Sequence, residues 1–451
     1  MRNANFLKEN NARHMWHAMA NAGDMRNNPP QIINSAEGVE IVDIDGHKVL
    51  DAVGGLWNVN LGYSCEPVKK AIRDQLDQLP YYSTFRGTTN SPLIELSYEL
   101  AEFFKPDGMT RSFFTSGGSD SIESALRLAR QYHKLKGQPE RTKFFALKKG
   151  YHGTHFGGAS INGNSNFRRA YEPLLPGVFH LPAPWDYRNP FGTTDGAEIA
   201  QKIAALFEDE IAFQGADTIA AFIMEPVLGA GGVIVPHESF MPLMRAICDK
   251  HGILMIADEV ICAFGRTGAW TGSRLWGVQP DMMCTAKAIT NAYYPFGAVM
   301  IHEKMVDVFE TSKSPLASIG HGYTYSGHPV GAAAALACLA ETKRLKVNEN
   351  ATARGLELLA GLQVLGQKHE LIGNARGRGL MCCLELVSDR AKKSPAAKDI
   401  VQKVQDGAYA AGVMVRTSGN NIILSPPLIV TAADVGRIVS ALDIGLEAAT
   451  H

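Results

Sequence analysis

Between residues 111 and 302, short and nearly unbroken apolar runs alternate with segments of helical periodicity. That alternation constrains the fold more than any other feature. "RSFFTSGG", "TKFFALKKG", "DTIAAFIMEP", "GILMIADEV", "DMMCTAK" and "FGAVMIH" each read as a buried strand that ends in a polar or glycine-bearing turn. Between them lie helix candidates such as "SIESALRLARQYHKLKG", where Ile122, Ala125, Leu126, Ala129 and Tyr132 recur at helical spacing. Strands alternating with helices predict an α/β fold built on a mainly parallel sheet covered by helices. In such sheets ligands bind beyond the carboxyl ends of the strands, which is where chemistry is to be sought.

The two ends of the chain have a different texture. "GVEIVDIDGHKVLDAVGG" alternates and turns at Asp45-Gly46, as a hairpin does. From about Val330 an alanine-rich helix, "PVGAAAALACLAETKRL", is followed by a strand over Leu380–Val387, a helix near 395–411 and "GVMVRTSGNNIILSPPL" as two short strands. A length of 451 residues suits a large domain with a smaller lobe. The expected division is a large domain over 62–328 and a small α+β domain assembled from 1–61 and 329–451.

The 44 basic and 45 acidic residues nearly cancel, so no electrostatic case for nucleic acid or an anionic membrane arises. No run approaches the roughly 18 apolar residues needed to span a bilayer, and "MRNANFLKENNARHMWHAM" lacks a signal-peptide core. The seven cysteines show no C-x-x-C pair, which points to reduced core thiols and a cytoplasmic location, with no metal site expected.

Three stretches carry chemistry. In "FFTSGGSDSIES" a strand leads into Gly117 and Gly118, then Ser119 and Asp120 at the N-cap position of a helix. Glycines let the backbone close on an anion, and a helix start favours phosphate, although strand-glycine-helix turns are also common structural junctions. Asp258 closes the apolar run "GILMIADEV", where a carboxylate serves a protonated ring nitrogen, a cation, a helix cap or Arg266. Lys287 is the one charge in "MMCTAKAITNAYYPFGAVM". A lysine in apolar company is either a strand-end surface residue or a nucleophile toward a carbonyl. "KGYHGTHFGG" adds Tyr151 and His152, an aromatic face beside the same edge. An anion cradle, a carboxylate and an amine are together what pyridoxal 5′-phosphate (PLP) requires.

These residues, with "GLWNVNLGY", "EPVLGAGGV", "LMIADEVICAFGRTG" and "GYTYSGHPVGAAAAL", resemble the class III, or omega, aminotransferases of PLP fold type I over nearly the whole chain. The resemblance implies that Lys287 forms the imine to PLP and shuttles the proton, while Asp258 keeps the pyridinium nitrogen protonated. It implies that Gly118 and Ser119 hold the phosphate, joined by Thr324 from the partner subunit, and that an obligate homodimer shares its active sites. Whether two dimers associate into a tetramer stays open. Tyr151 and Val260 would sandwich the ring, with His152 beside it and Glu225 near the cofactor hydroxyl. "GLWNVNLGY" is most similar to the amine, β-alanine and taurine:pyruvate branch, in which Trp57 and Phe85 line the substrate pocket and Arg416 binds the keto-acid carboxylate. Arg86 would favour donors with a distal acid or form a salt bridge. The expected activity is ping-pong transfer of an amino group from a primary amine or omega-amino acid to pyruvate, giving L-alanine. The alternatives are a 2-oxoglutarate-dependent aminotransferase, an aminomutase, or a non-catalytic PLP-fold binding protein.

Overall fold

A computed structural model describes residues 3–450. Its centre is a seven-stranded sheet in the order Met109–Thr115, Gly297–His302, Met282–Thr285, Leu254–Asp258, Ile219–Met224, Lys143–Leu147, Val178–Leu181. The six apolar runs singled out above all fall in this sheet. Alternate residues of each strand face opposite sides. Phe144, Ala146, Leu254, Ile256, Met282 and Cys284 pack with Ile122, Ala125, Leu126 and Ala129 of the helix Gly118–Leu135. Phe145, Leu147, Met255, Ala257 and Met283 pack on the other side with Ile203, Phe207 and Ile211 of Gly196–Gln214 and Met244 of Phe240–His251. Burial on both faces explains why these strands read as continuous apolar runs rather than alternating ones.

The sheet is mainly parallel, as expected, with two features that the sequence did not reveal. Gly297–His302 runs antiparallel to both its neighbours, reached from Met282–Thr285 through the segment 286–296 rather than a crossover helix. The edge strand Val178–Leu181 is only four residues long and half-exposed, too short and mixed to register as an apolar run.

The remaining strands form two smaller sheets. Glu40–Asp43 and Lys48–Asp51 make the expected hairpin, and Lys48–Asp51 pairs in parallel with Val413–Met414, so both ends of the chain share one sheet. The stretch "GVMVRTSGNNIILSPPL" holds three strands, not two. At buried Val415 the chain leaves the first small sheet, and Arg416–Ser418 then pairs with Asn421–Leu424 in the second. The helix expected near 395–411 starts at Lys398, because Ser394–Pro395 pairs instead with the strand Met381–Asp389.

Arg266 ties these parts together. It is fully buried and donates to the carbonyls of Leu380 (3.0 Å) and Pro426 (2.5 Å) and to Asn60 Oδ1 (2.6 Å). Burial pushes its pKa down to about 9 against the pull of Asp51. It makes no pair with Asp258, so that alternative for the carboxylate is set aside. Among the described residues no helix is long and apolar enough to cross a membrane.

Candidate active site

The parallel strands deliver their chemistry at one edge, as the doubly covered sheet requires. Asp258 is the last residue of its strand and lies opposite Cys284, three residues before Lys287 on the neighbouring strand's exit. Glu225 directly follows Ile219–Met224, and Tyr151 and His152 follow Lys143–Leu147. Gly118 and Ser119 begin the helix that leaves Met109–Thr115. Asp258, Lys287, Glu225, Tyr151, His152, Gly118 and Ser119, with Val260, line a single cavity of about 340 Å³, within the size range of small-molecule sites.

Asp258 is buried and held from two sides. Its Oδ2 lies 2.8 Å from His152 Nδ1, and its Oδ1 accepts the Val260 N–H at 3.1 Å. His152 is itself fixed: its backbone N–H donates to Asn162 Oδ1, and Asn162 Nδ2 donates to the Gly153 carbonyl at 2.9 Å. His152 Nε2 is buried with no partner among the described residues. His155 pairs with Asp120 Oδ1 (2.6 Å), so the two histidines of H-x-x-H serve different carboxylates, and no metal-holding cluster occurs among the described residues. Asn162, which orients His152, carries no motif that would mark it in the sequence.

Lys287 opens a short helical turn, Lys287–Thr290, with φ +51. Asn291 and Ala292 are also left-handed, at φ +53 and +57. Backbone in this region costs free energy outside glycine and persists where surroundings enforce it. Here the enforcement is visible. Buried Asn291 accepts the Leu61 N–H (2.7 Å) and donates to the Gly62 carbonyl (2.8 Å), while Cys338 Sγ, on the helix Pro329–Arg344, donates to the Ala288 carbonyl (3.2 Å). The Lys287 ammonium has neither a hydrogen-bond nor an ion-pair partner among the described residues. Burial lowers its pKa from the ordinary 10.5, with the charges of Asp258 and Glu225 opposing. Glu225 accepts the N–H groups of Tyr151 and Gly229, each at 2.9 Å. Burial raises its pKa, His152 opposes, and Asp258 reinforces the rise.

The anion cradle is built of backbone. The N-cap is Gly117, which has no side chain to cap the helix. Ser119 and Asp120, expected at that position, stand in the first turn instead, because the helix starts at Gly118. Asp120 Oδ2 turns back to accept the Ser116 N–H at 3.1 Å. The first N–H groups of the helix have no intrahelical acceptor and lie at the positive end of its dipole. The loop carrying Tyr151 and His152 is pressed onto this start. Gly153 has φ +83, a Cβ there would lie 2.6 Å from Ser119 Oγ, and Thr154 N–H donates to that oxygen at 3.2 Å.

The other expected residues lie outside the lining of this cavity. Trp57 is buried at φ +63 among Ile261, Cys262, Met381 and Ile423, one layer behind Ile261, and its neighbours Leu56 and Asn58 line the cavity instead. Arg416, on Arg416–Ser418, has no hydrogen-bond or ion-pair partner for its side chain among the described residues. Burial lowers its pKa and the Tyr151 hydroxyl opposes. Phe85 and Arg86 are exposed, and the Phe85 ring lies against Gly322. Tyr81 Oη donates to the Thr324 carbonyl (2.8 Å) and Thr84 Oγ1 to that of Ser326 (2.9 Å). Segments 81–86 and 322–326 are thus tied to each other, with Phe85, Arg86 and Thr324 exposed and outside the lining of their own chain's cavity. Tyr294 and Phe296 also line the cavity. The aromatic run "AYYPFG" after Lys287 was their only signal in the sequence.

The lining fits PLP. A backbone cradle suits its phosphate, a buried carboxylate its ring nitrogen, an unpaired amine its aldehyde, and the orphaned His152 Nε2 marks a polar atom awaiting a partner. The sequence profile of the class-III aminotransferases matches residues 22–444. The chain is 37% identical over 411 residues to the putrescine–pyruvate aminotransferase of Pseudomonas aeruginosa, covering 91% of this chain and 89% of that protein. It is 36% identical to a probable mitochondrial gamma-aminobutyrate transaminase of Oryza sativa subsp. indica, over 93% of this chain and 82% of the relative. Among solved structures, the PLP-bound amine transaminase from an uncultivated Pseudomonas species superposes with TM-score 0.95 at 44% identity, covering 96% and 98% of the two chains. An (S)-enantioselective omega-transaminase from Thermomicrobium roseum superposes with TM-score 0.96 at 36% identity over 100% of both chains.

Proposed function

The chain belongs to the class-III aminotransferases, as a PLP-dependent transaminase of fold type I, and from that premise we propose that it moves an amino group from a primary amine or omega-amino acid to pyruvate, giving L-alanine. The observation that carries this reading is the unpaired Lys287 amine in one cavity with the Asp258–His152 pair and a bare helix start. The pyruvate acceptor is supported by likeness to the Pseudomonas relative whose name includes it.

When bound, PLP supplies a reactive aldehyde carbon and a ring that withdraws electrons from the carbon losing its proton. The protein does the rest. Asp258, fixed by His152 and the Val260 N–H, holds a proton on the ring nitrogen. The helix start at Gly118 and Ser119 binds the phosphate. Tyr151 and Val260, which line the same cavity, would hold the ring. Lys287, its ammonium disfavoured by burial, would take the proton from the amine-bearing carbon of the donor in one half-reaction and deliver a proton to the corresponding carbon of the acceptor in the other. General acid–base transfer of this kind contributes about 10²–10⁴ in rate. Arg416, whose planar fork suits a carboxylate, holds that of the keto acid. The exposed unit of Phe85, Arg86 and Thr324 completes the cavity of a second copy, so the working enzyme is a homodimer.

The deciding experiment follows the visible absorbance of the holoenzyme. A primary amine or omega-amino acid should convert the cofactor to its aminated form, and pyruvate should restore it with formation of L-alanine. Restoration by 2-oxoglutarate alone would replace the pyruvate assignment, and no response to any amine would overturn the proposal.

A further inference from the structure

A second cavity, of about 900 Å³, lies across the wall formed by residues 149–154 from the catalytic one. Tyr151 lines the inner cavity, and its ring packs against that of Phe167, which lines the outer (centroids 5.1 Å apart). Thr154 lines the outer cavity and is bonded through its N–H to Ser119 of the inner. Ser418 and Gly419, just beyond Arg416, close the far side.

Of the described residues around this outer cavity, Lys149 alone is charged; its polar neighbours are the hydroxyls of Thr154, Tyr171 and Ser418 and the amides of Asn164, Asn166, Asn420 and Asn421. Lys149 has φ +71, a backbone conformation costly for lysine. It is locked there. Its N–H donates to the Gly163 carbonyl at 2.9 Å, and Gly231 packs so closely that a Cβ would lie 2.3 Å from the Lys149 carbonyl oxygen. Strained backbone that is over-determined by its surroundings points toward function. The ammonium makes no ion pair among the described residues and lies 5.9 Å from the centroid of the Trp185 ring, on the border with a third cavity that Lys149 lines together with Lys148, Arg188 and Glu385.

We propose that Lys149 is a specificity-determining residue that favours amine donors with a distal carboxylate over diamines. This rests on the transaminase reading of the inner cavity. A donor whose amine meets Lys287 extends its other end past Tyr151 toward the outer cavity. There a carboxylate meets an uncompensated cation and several amide donors. The distal ammonium of a diamine meets the same cation with no carboxylate to receive it.

The test compares kcat/KM of the holoenzyme for 4-aminobutanoate, 1,4-diaminobutane and 1-aminobutane. The variants are Lys149→Asn, which tolerates the left-handed backbone, and Lys149→Glu. We expect the ratio of the amino acid to 1-aminobutane to fall about fivefold in Lys149→Asn. In Lys149→Glu the preference should turn toward the diamine. Added salt should flatten the wild-type preference, because an exposed charge is screened. A ratio that is the same in wild type and Lys149→Asn overturns the inference, and the Asn variant decides it even if the Glu variant does not fold. Failure of the wild type to consume any of the three amines, by contrast, overturns the transaminase reading beneath it.

Discussion

At Lys287 the backbone is left-handed and the amine has no partner, while Asn291 and the helix Pro329–Arg344 hold the turn in place. Lys287→Ala should lower transamination by at least about 10²-fold, in line with loss of a general acid–base group, while single-turnover absorbance measurements follow whether added PLP still occupies the site. The pH dependence follows from the same burial. The free amine is the base; burial lowers its pKa below 10.5, so the competent form survives to a lower pH than for an ordinary lysine and is lost only as pH falls through the lowered value. The acid limb of the kcat profile should therefore lie below 10.5. Glu225 opposes that lowering, so Glu225→Gln should move the limb further toward acid. A limb that moves the other way would show that Glu225 does not act on the lysine through its charge. Lys287 and Asp258 stand out in the sequence because a charge at the end of an apolar run is rare. Asn162 does not, because its task, orienting His152, depends on a contact with no local pattern.

At the scale of elements, the loop from Gly150 to Thr154 sits directly on the start of the helix Gly118–Leu135. Gly153→Ala would put a methyl carbon 2.6 Å from Ser119 Oγ and 2.8 Å from its Cα, at a φ that alanine disfavours. Either loop or cradle must shift, and we expect PLP to be retained about tenfold less tightly, read by dialysis and residual absorbance. The helix itself was legible, since Ile122, Ala125, Leu126 and Ala129 form its buried stripe. Its first residue was not, because serine and aspartate usually cap helices and here Gly117 takes that place. The same limit appears in the sheet. Apolar runs report burial on two faces, yet the reversed direction of Gly297–His302 depends on which strands it meets, and the short half-exposed Val178–Leu181 left no run to read.

Over the whole molecule, Arg266 joins the central sheet to segments from both ends of the chain. Arg266→Ala would leave the Leu380 and Pro426 carbonyls and Asn60 Oδ1 buried without their donor. A cost of about 3–5 kcal/mol is expected in urea unfolding of the holoenzyme. The proposed dimer has its own test. Tyr81, Tyr82, Phe85, Leu316, Ile319 and Tyr325 are all exposed around Thr324, an apolar surface that suits a second copy. Mixing Lys287→Ala with Thr324→Ala protein under exchange conditions should give more activity than either parent, since a hybrid then contains one site with both residues. No gain would mean that Thr324 does not act across subunits. The sequence by itself determined the α/β alternation, the strand-end residues and the family, because burial on two faces and charges in apolar company are written in local pattern. Only the tertiary structure decided strand direction, the left-handed lysine turn, the placing of Trp57 behind the cavity wall and of Phe85 and Thr324 outside it. Those depend on contacts between segments up to hundreds of residues apart, which no local spacing encodes.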